Sequence, residues 1–277
     1  MDLTSLLIDR FGLDLNLGFA EPVPPFIAQI LQRRTHRRYD PRPVADELID
    51  LLIAAALSAS AKSDFQQATI IKLKNAAKRQ AIARHFPSMP WIGTAPVFLV
   101  FCADARRLEQ ISAMRGHPQR NGDLEAFLNA SVDAALAMQT FVLAAESVGL
   151  GCCPISVIRN QMETVAHELS LPDGVFPTAG LCVGYPAGKG YISMRLPPAV
   201  TVHTDTYDDS NLESEIDAYD RRRAARHMTP REQQRNPQKF GYADFYGWSE
   251  DKARQAAEPE GASFAAHVRA HGFSFEG

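Results

Sequence analysis

The sequence predicts a mixed α+β protein whose sheet is covered on both faces. Residues 96–102 form a continuous apolar run of strand length, which is typical of a fully buried strand. Residues 45–58 repeat leucine and alanine at helical spacing, with acids in the first turn, where the helix dipole favours them. Residues 123–148 are rich in Ala, Leu and Met and end at Gly149, which can adopt a left-handed capping conformation. These three segments indicate helices packed around a buried sheet.

Shorter patterns predict the remaining elements. Four apolar residues at helical spacing, Leu3, Leu6, Leu7 and Phe11, predict an N-terminal helix packed across the surface or a partner. We also predict a strand at residues 68–73, a helix at 161–169 and a strand at 178–183. The order of elements is that of a mixed fold.

The long helix predicted at residues 123–148 also bears on assembly. Its second half is apolar nearly all round, so several of its faces must be covered. Exposing its small-residue face would forfeit several kcal/mol. Either a large core or a second subunit covers it, and we expect a homodimer.

Composition excludes several classes of protein. The chain has 277 residues, of which 45% are hydrophobic and 22% charged, close to an average soluble domain. Collagens, disordered tails and disulfide-stapled miniproteins are therefore excluded. The formal net charge of −3 gives no global attraction to nucleic acid or anionic lipid. Any site for a polyanion must be a local basic patch, and we expect no nucleic-acid partner.

The cysteine and histidine patterns predict neither disulfides nor a metal site. The four cysteines include no CxxC pair and no histidine at zinc spacing, and we expect Cys152 and Cys153 to be buried thiols without chemistry. The eight histidines show no paired ligand pattern. We therefore predict no metal, and the cysteine usage fits a reducing cytoplasm.

The sequence carries no predicted targeting or membrane segment. Its first ten residues contain early acids and a short apolar run instead of a basic region followed by a cleavable apolar one. The longest apolar runs are interrupted or fall short of the roughly 18 to 20 residues of a membrane span. We expect a soluble, cytoplasmic protein without a membrane partner.

The predicted organisation is one main domain with two extensions. We predict an N-terminal extension at residues 1–26, a core at 27–205 and a C-terminal extension at 206–277 that packs on the core or a partner. Within the last of these, residues 221–239 are basic and contain several Gln, Asn and Pro residues, so we expect a mobile segment.

Two basic clusters are candidate anion sites. Residues 33–39 read Arg-Arg-Thr-His-Arg-Arg-Tyr, and guanidinium groups bind phosphate through paired, charge-assisted hydrogen bonds. A solvated basic turn is the alternative. In residues 221–239, Arg222, Arg223 and Arg226 are candidates for the 2′-phosphate of NADPH or, less favoured, for nucleic acid; a solvated helix end is the alternative there. Dinucleotide, P-loop, zinc-protease and serine-hydrolase motifs are absent from the sequence.

These pieces, in this order, resemble the FMN-dependent nitroreductase family and its NADPH-dependent, oxygen-insensitive nitroreductase and flavin reductase branch. The similarity spans about residues 27–275. It begins with the arginine cluster at 33–39 and continues through a Ser-Ala-Ser-Ala-Lys-Ser-Asp-Phe-Gln loop at 58–66. It then follows the long helix to Gly149-Leu150-Gly151, Leu171-Pro172 and residues 181–186, and ends in a tail containing Gly247-Trp248-Ser249.

The resemblance implies a fold and a cofactor site. The fold would be a central, mostly antiparallel sheet wrapped by helices, in an intertwined homodimer that holds one FMN in each of two interface clefts. Arg33, Arg34, Thr35 and Arg195 would bind the FMN phosphate, and Arg37 would lie near the N1 and O2 edge of the flavin, where a cation favours the anionic reduced form. From the partner subunit would come Lys62, Ser63, Asp64 and Gln66. The backbone of Pro154, Ile155 and Ser156 would face N5 and O4.

The sequence departs from the family pattern at three positions. Ser193 stands where a lysine is common, Ser156 where a glycine is common and Ala61 where a serine is common, which bears on cofactor affinity. Trp91 lies where the family often has a flavin-contacting amide, and it either lines the substrate cleft or belongs to a core or interface.

The function implied by the resemblance is that of an NAD(P)H-dependent FMN oxidoreductase. A hydride would pass from NADPH, with NADH as the alternative donor, through flavin N5 to a nitroaromatic or quinone-type acceptor in a ping-pong cycle, with no essential catalytic side chain. A flavin reductase, a quinone reductase or a metabolite dehydrogenase of the same family is the alternative. From another class, a non-catalytic flavin-binding sensor or a basic-tailed binding protein stays open.

Overall fold

The structure is a computed structural model, and it describes residues 2–20, 22–120 and 124–273. The chain divides into two compact units. The first, which we call the terminal unit, contains residues 1–33 and 192–260, and the second, the sheet unit, contains residues 34–191 and 261–277. These bounds differ from the division after residues 26 and 205 that the sequence predicts, because the N-terminal segment and most of the C-terminal segment share one unit.

The described residues form four strands and a set of helices. The strands are β1 (Ala68–Lys72), β2 (Val97–Asp104), β3 (Gly151–Ile155) and β4 (Val175–Gly184). The helices are α1 (Leu3–Phe11), α2 (Pro25–Gln32), α3 (Asp46–Leu57), α4 (Ala76–Ala83), α5 (Trp91–Thr94), α6 (Arg106–Met114), α7 (Leu124–Ser147), α8 (Met162–Leu169), α9 (Pro198–Thr201), α10 (Leu212–Arg226), α11 (Pro237–Phe240), α12 (Trp248–Ala256) and α13 (Ala262–Ala270). Short 3₁₀ turns lie at Lys62–Asp64, Ser156–Gln161 and Arg231–Gln233.

The sheet unit is built on an antiparallel sheet in the order β1-β2-β4-β3. Successive side chains of a strand point to opposite faces, and both faces of β2 are buried. Leu99 and Phe101 pack with Leu52 of α3 and Phe141 of α7 on one face. Another cluster covers the opposite face and contains Phe98, Val100, Ile82, Ile158 and Cys182. The α+β class and the doubly covered strand are therefore confirmed.

The strand β3 was missed by the sequence analysis. Gly149 does cap α7 in the left-handed conformation, with φ of 81°. Gly151, which the sequence analysis grouped with that cap, instead begins β3 and pairs with Gly184 of β4. Five residues that include a proline give too short a pattern to be recognised as a strand.

The helix α7 is the longest in the sheet unit. Its small residues Ala130, Ala134 and Ala137 are buried, as the apolar pattern predicts. The predicted start at Asp123 lies outside the described residues. Among the described residues, α7 alone is long and apolar enough to cross a membrane, with a mean hydropathy of 1.4 over its most apolar window. This is weak evidence for a span, because the core helix of a soluble protein meets the same criteria.

In the terminal unit, α1 confirms the predicted N-terminal helix. Asp2 caps it by accepting a hydrogen bond from the backbone N–H of Ser5 at 2.8 Å, and Leu6 and Leu7 are buried. At the other end, the guanidinium of Arg226 donates to the carbonyl oxygens of Ile8 and Asp9 at 2.9 and 2.8 Å. A cation at the carbonyl end of a helix is also favoured by the helix dipole.

Residues 221–239, which the sequence predicts to be mobile, are largely in regular structure. The helix α10 continues through Arg226, and a 3₁₀ turn and α11 follow. Tyr219 of α10 is buried and donates its hydroxyl to the carbonyl of Met194 at 3.0 Å. The prediction of a mobile segment relied on composition alone, and composition does not reveal side-chain contacts of this kind.

Candidate functional site

The first part of the candidate site is an arginine-bearing segment that lies along β3 in the sheet unit. The backbone N–H of His36 donates to the carbonyl of Cys152 at 3.0 Å. The Tyr39 hydroxyl lies 2.6 Å from the carbonyl oxygen of His36 and 3.1 Å from that of Cys182. Burial raises the pKa of Tyr39, so it remains a phenol and a hydrogen-bond donor. These bonds fix the segment that carries Arg34, Thr35 and Arg37.

Close packing keeps this segment in place. A Cβ atom on Gly151 would stand 2.8 Å from Cγ of His36, so only glycine permits the approach. Arg34 donates from Nη1 to the carbonyl of Lys189 at 3.0 Å, while its neighbour Thr35 is half-buried. Arg37 is exposed. The segment thus presents guanidinium and hydroxyl donors on a rigid support.

The second part is the end of β3 and the turn that follows. Pro154 is exposed, and Ile155 is buried and pairs with Gly180 of β4. Ser156 is exposed and opens the 3₁₀ turn that ends at Gln161. The three residues named from the resemblance therefore lie on the edge strand that the arginine-bearing segment follows.

Trp91 lies beside Arg37 and is packed against the core. The Cζ atom of Arg37 is 5.7 Å from the centroid of the Trp91 ring, within the range of a cation–π contact. The indole ring packs against the cluster around Phe98 and Ile82. Its Nε1 atom is buried, and no acceptor for it exists among the residues that the structure describes. A buried donor of this kind is suited to the polar edge of a bound ligand.

The third part is a strained loop of residues 62–67. Three of its non-glycine residues have positive φ: Ser63 at 48°, Asp64 at 58° and Gln66 at 55°. Such conformations cost about 1–3 kcal/mol each and persist only where the surroundings impose them. Strained backbone of this kind is enriched at functional sites, which makes this loop a candidate ligand-binding segment.

A buried carboxylate of α7 holds both ends of the loop. Asp133 is 3% exposed, and its two oxygens accept hydrogen bonds from the backbone N–H groups of Lys62 at 3.0 Å and Gln67 at 2.9 Å. From the sequence, Asp133 is only one residue of the predicted long helix at 123–148. A single acid inside an otherwise apolar helix was the available signal for this role.

A second support for the loop comes from α6. The guanidinium of Arg107 donates to the carbonyl of Gln66 and, at 2.8 Å, to the carboxylate of Asp104. Asp104 is 7% exposed and also accepts from Thr69 Oγ1 at 2.6 Å. The ion pair with Asp104 orients the guanidinium of Arg107 towards the loop. No sequence pattern indicated this role of Arg107.

A cavity of about 270 Å³ adjoins the loop. Its lining is formed by Ala56, Leu57, Ala59, Ser60, Ala61, Gln66, Ala68, Arg107, Asp133 and Ala137. The family commonly has a serine at position 61. Ala61 lacks the serine hydroxyl, so the cavity wall at this position is apolar.

In the terminal unit, Arg33 and Arg195 belong to segments joined by one buried arginine. Arg10 is 7% exposed; its guanidinium donates to the carbonyl oxygens of Leu31 at 2.9 Å and Ser193 at 2.8 Å, and also to that of Arg33. The backbone N–H of Arg195 donates in turn to the carbonyl of Arg10 at 2.8 Å. Arg10 therefore fixes both of the segments that carry the candidate phosphate ligands of this unit.

Ser193 contributes to this arrangement in an unexpected way. Its hydroxyl accepts a hydrogen bond from Nη1 of Arg195 at 3.1 Å. The residue that replaces a common lysine thus orients the neighbouring arginine.

The three candidate arginines of α10 differ in what they contact. Arg223 donates from Nη1 to the carbonyl of Met194 at 3.3 Å and to the Tyr219 hydroxyl at 3.0 Å, and Arg226 caps α1. Arg222 is half-buried, and its Nε and Nη2 atoms have no hydrogen-bond partner within the described part of the chain. Arg223 and Arg226 therefore have structural roles, and Arg222 retains unused donors.

The cysteines take no part in the site. All four are buried, as expected for Cys152 and Cys153. Burial raises the pKa of Cys102 to about 12 and also raises that of Cys182, which disfavours the reactive thiolate.

The chain matches known family models along most of its length. Residues 30–185 match the model of the nitroreductase family, and residues 193–276 match that of the nitroreductase family C-terminal domain. The chain is 37% identical over 199 residues to an FMN reductase [NAD(P)H] of Bacillus subtilis, covering 70% of this chain and 79% of that one. It is 35% identical over 205 residues to an oxygen-insensitive NADPH nitroreductase of Salmonella typhimurium, covering 74% and 83%.

A solved structure shows the same fold. The structure of NfrA2 from B. megaterium superposes with a TM-score of 0.82 at 32% sequence identity, covering 92% of this chain and all of that one. The fold and the family expected from the arginine cluster, the Lys62–Gln66 loop and the long helix are therefore confirmed.

Proposed function

Because the chain belongs to the nitroreductase family, we propose that it is an FMN-dependent oxidoreductase that oxidises NADPH and reduces a nitroaromatic or quinone-type acceptor by a ping-pong cycle. The similarity to an FMN reductase [NAD(P)H] and to an NADPH nitroreductase supports both the cofactor and the electron donor. The rigid arginine-bearing segment along β3 is the observation that carries the proposal. It offers anion-binding donors next to the polar backbone at the end of β3.

The residues of the sheet unit fit the flavin cofactor. The guanidinium of Arg34 and the hydroxyl of Thr35 suit a phosphate, and the exposed Arg37 suits the electron-rich edge of the ring. The buried indole donor of Trp91 adds a polar contact. When bound, FMN supplies the hydride transfer itself.

The chain's own residues would bind and orient the cofactor and the substrate. The backbone at Pro154, Ile155 and Ser156 provides main-chain groups at a fixed strand end. Arg33 and Arg195 of the terminal unit are proposed as further ligands of the cofactor phosphate on the basis of the resemblance. Lys62, Ser63, Asp64 and Gln66 are proposed to reach the flavin of a second copy.

We propose that this second copy forms a homodimer through α7. Leu124, Leu128, Val132 and Leu136 recur every four residues and are 61%, 52%, 44% and 42% exposed. Residues four apart lie on one face of a helix, so they form a continuous apolar stripe. The strained loop of residues 62–67 is held against the same helix by Asp133. A partner that covers the stripe would therefore meet this loop.

Two half-reactions test the activity. We expect the purified, flavin-loaded protein to lose its visible flavin absorbance when NADPH is added without oxygen. Adding a nitroaromatic or a quinone should then restore it. Bleaching that no such acceptor reverses would contradict the proposed enzyme and favour a flavin-binding sensor.

The phosphate role of the terminal unit is tested by a double substitution. We expect Arg33→Ala with Arg195→Ala to lose FMN, because each arginine supplies charge-assisted hydrogen bonds worth about 1.5–3 kcal/mol. FMN affinity, measured by fluorescence titration, should fall at least about 100-fold. The matched control, Arg38→Ala with Arg221→Ala, removes two exposed arginines and should retain its flavin. Full flavin retention in the first variant would refute this role.

The nucleotide preference is tested on α10. We expect Arg222→Ala to lower kcat/KM for NADPH about 10-fold and to leave that for NADH unchanged, because one charge-assisted contact to the 2′-phosphate is lost. The control is Arg221→Ala, whose side chain is 75% exposed and pairs with Asp217 at 3.6 Å. Equal losses with both nucleotides would remove Arg222 from the recognition of the 2′-phosphate.

A further inference from the structure

A cluster of two histidines and two carboxylates lies in the sheet unit, formed by α13, α8 and the turn after α8. His267 lies on α13, and His271, four residues further on, caps the C-terminal end of that helix with its backbone N–H bonded to the carbonyls of His267 and Val268. Potential ligand atoms of Glu163, His267 and His271 lie within 4.8 Å of one another. The sequence analysis found no paired histidines, and this expectation fails here. The spacing of four was the signal that it overlooked.

Each histidine is oriented by one carboxylate. The Nδ1 atom of His267 lies 2.7 Å from Oε1 of Glu163, and Nδ1 of His271 lies 2.8 Å from Oδ1 of Asp173. The two imidazole rings are 4.2 Å apart between centroids. The cluster therefore places two imidazole groups side by side, each next to a carboxylate.

The four side chains of the cluster differ in how far they are exposed to solvent. The side chain of His267 is 2% exposed and that of His271 is 39% exposed. Those of Glu163 and Asp173 are 73% and 70% exposed. Two nitrogen ligands are thus fixed by the fold, while Glu163 lies at the surface and can swing. An ion could enter from solvent and still meet a buried ligand.

We propose that Glu163, His267 and His271 bind a divalent transition-metal ion of the zinc type. Imidazole nitrogens and a carboxylate are ligands that Zn²⁺ prefers. Solvent would complete the coordination.

The geometry accommodates such an ion with a small movement. Bonds of about 2.0–2.1 Å in a tetrahedral site put two ligand atoms about 3.3 Å apart. The present 2.7 Å between Glu163 and His267 is a hydrogen-bond distance, so the metal would replace the shared proton and displace the exposed Glu163 outward. Asp173 holds Nδ1 of His271 and leaves Nε2 as the ligand atom. Asp173 then acts as an orienting carboxylate, a common partner of metal-bound histidines.

The ion would fasten the C-terminal helix to the rest of the sheet unit. His267 is on α13 and His271 directly follows the last residue of that helix, whereas Glu163 is in the first turn of α8, which directly follows the turn at the end of β3. The site lies outside the proposed flavin ligands. We therefore expect the metal to change stability and not the hydride-transfer chemistry.

Zinc titration tests the site directly. Tag-free, flavin-loaded protein is treated with a chelator, desalted and titrated with ZnSO₄ against a chromophoric competitor. We expect the unmodified protein to bind one Zn²⁺ per chain. His271→Gln and Glu163→Gln each remove one ligand, so each variant should bind Zn²⁺ at least about 10-fold more weakly. The control His117→Gln removes an exposed histidine outside the cluster and should bind like the unmodified protein.

Stability supplies a second readout. Ligands that bind only the folded state raise Tm, so Zn²⁺ should raise the Tm of the unmodified protein and of His117→Gln but not that of His271→Gln. Unchanged flavin content in the variants would show that they are folded. Isolated surface ligands bind zinc only weakly at concentrations up to about 100 μM. The proposal would be overturned if the unmodified protein bound no zinc in this range. Equal zinc affinity in His271→Gln and the unmodified protein would also overturn it.

Discussion

Leu128→Asp combined with Leu136→Asp is expected to yield a monomer that no longer retains FMN. The two leucines belong to the α7 stripe, with Val132 between them, and are 52% and 42% exposed. A dimer that covers them would have to bury two unpaired carboxylates, at a cost of several kcal/mol each. The dimer dissociation constant should therefore rise more than about 1,000-fold. Sedimentation velocity measures the association state, and absorbance measures the flavin content.

The matched control is Ile111→Asp combined with Met114→Asp. These residues are also exposed apolar positions on a helix of the sheet unit, at 42% and 74%, but they lie on α6. We expect this variant to remain a dimer with full flavin content. A stripe variant that remains dimeric would reject α7 as the interface. A monomeric stripe variant with normal flavin content would reject the contribution of a second copy to the site.

Asp133→Ala is expected to destabilise the protein and to empty the flavin site. The substitution removes the acceptor of two backbone N–H groups, those of Lys62 and Gln67, and the second of these is buried. An unsatisfied buried donor costs about 1–3 kcal/mol, so we expect the free energy of unfolding to fall by about 2–4 kcal/mol. The loop would then relax from its strained conformation, because Asp133 is the residue that bonds both of its ends to α7 in the described part of the chain.

Graded variants separate the loop from general instability. Asp133→Asn keeps one acceptor oxygen and should fall between the unmodified protein and Asp133→Ala in urea unfolding. Glu125→Ala changes an exposed acid on the same helix and should alter neither unfolding nor flavin content. If Asp133→Ala binds FMN with unchanged affinity at a temperature where it is fully folded, the loop of residues 62–67 does not contribute to the cofactor site.

The sheet and its helices were predictable where the pattern was long. The apolar run of β2 and the helical periodicity of α3 and α7 are signals of burial that tertiary contacts reinforce. The short strand β3 was not predictable, because its pairing with β4 is a tertiary contact between segments about 30 residues apart. The helical and 3₁₀ structure at 221–239 was not predicted, because contacts such as those of Arg226 with α1 are not visible in the composition.

The residues expected to touch ligand were easier to find than those that hold them in place. Arg34, Thr35 and Arg37 form a dense motif that the sequence displays directly. Arg10 and Asp133 are isolated charged residues, and their roles depend on carbonyl and N–H groups far away in the sequence. A lone buried charge becomes recognisable only when the groups that surround it are known.

Titration of FMN into flavin-free protein tests the central claim most directly. The protein is stripped of flavin, and the flavin absorbance and fluorescence changes are followed as FMN is added. We expect the spectral change to saturate at one FMN per chain and the complex to remain intact on gel filtration. A protein that produces no spectral change and elutes without flavin would contradict the proposed function, although the fold would remain that of the nitroreductase family.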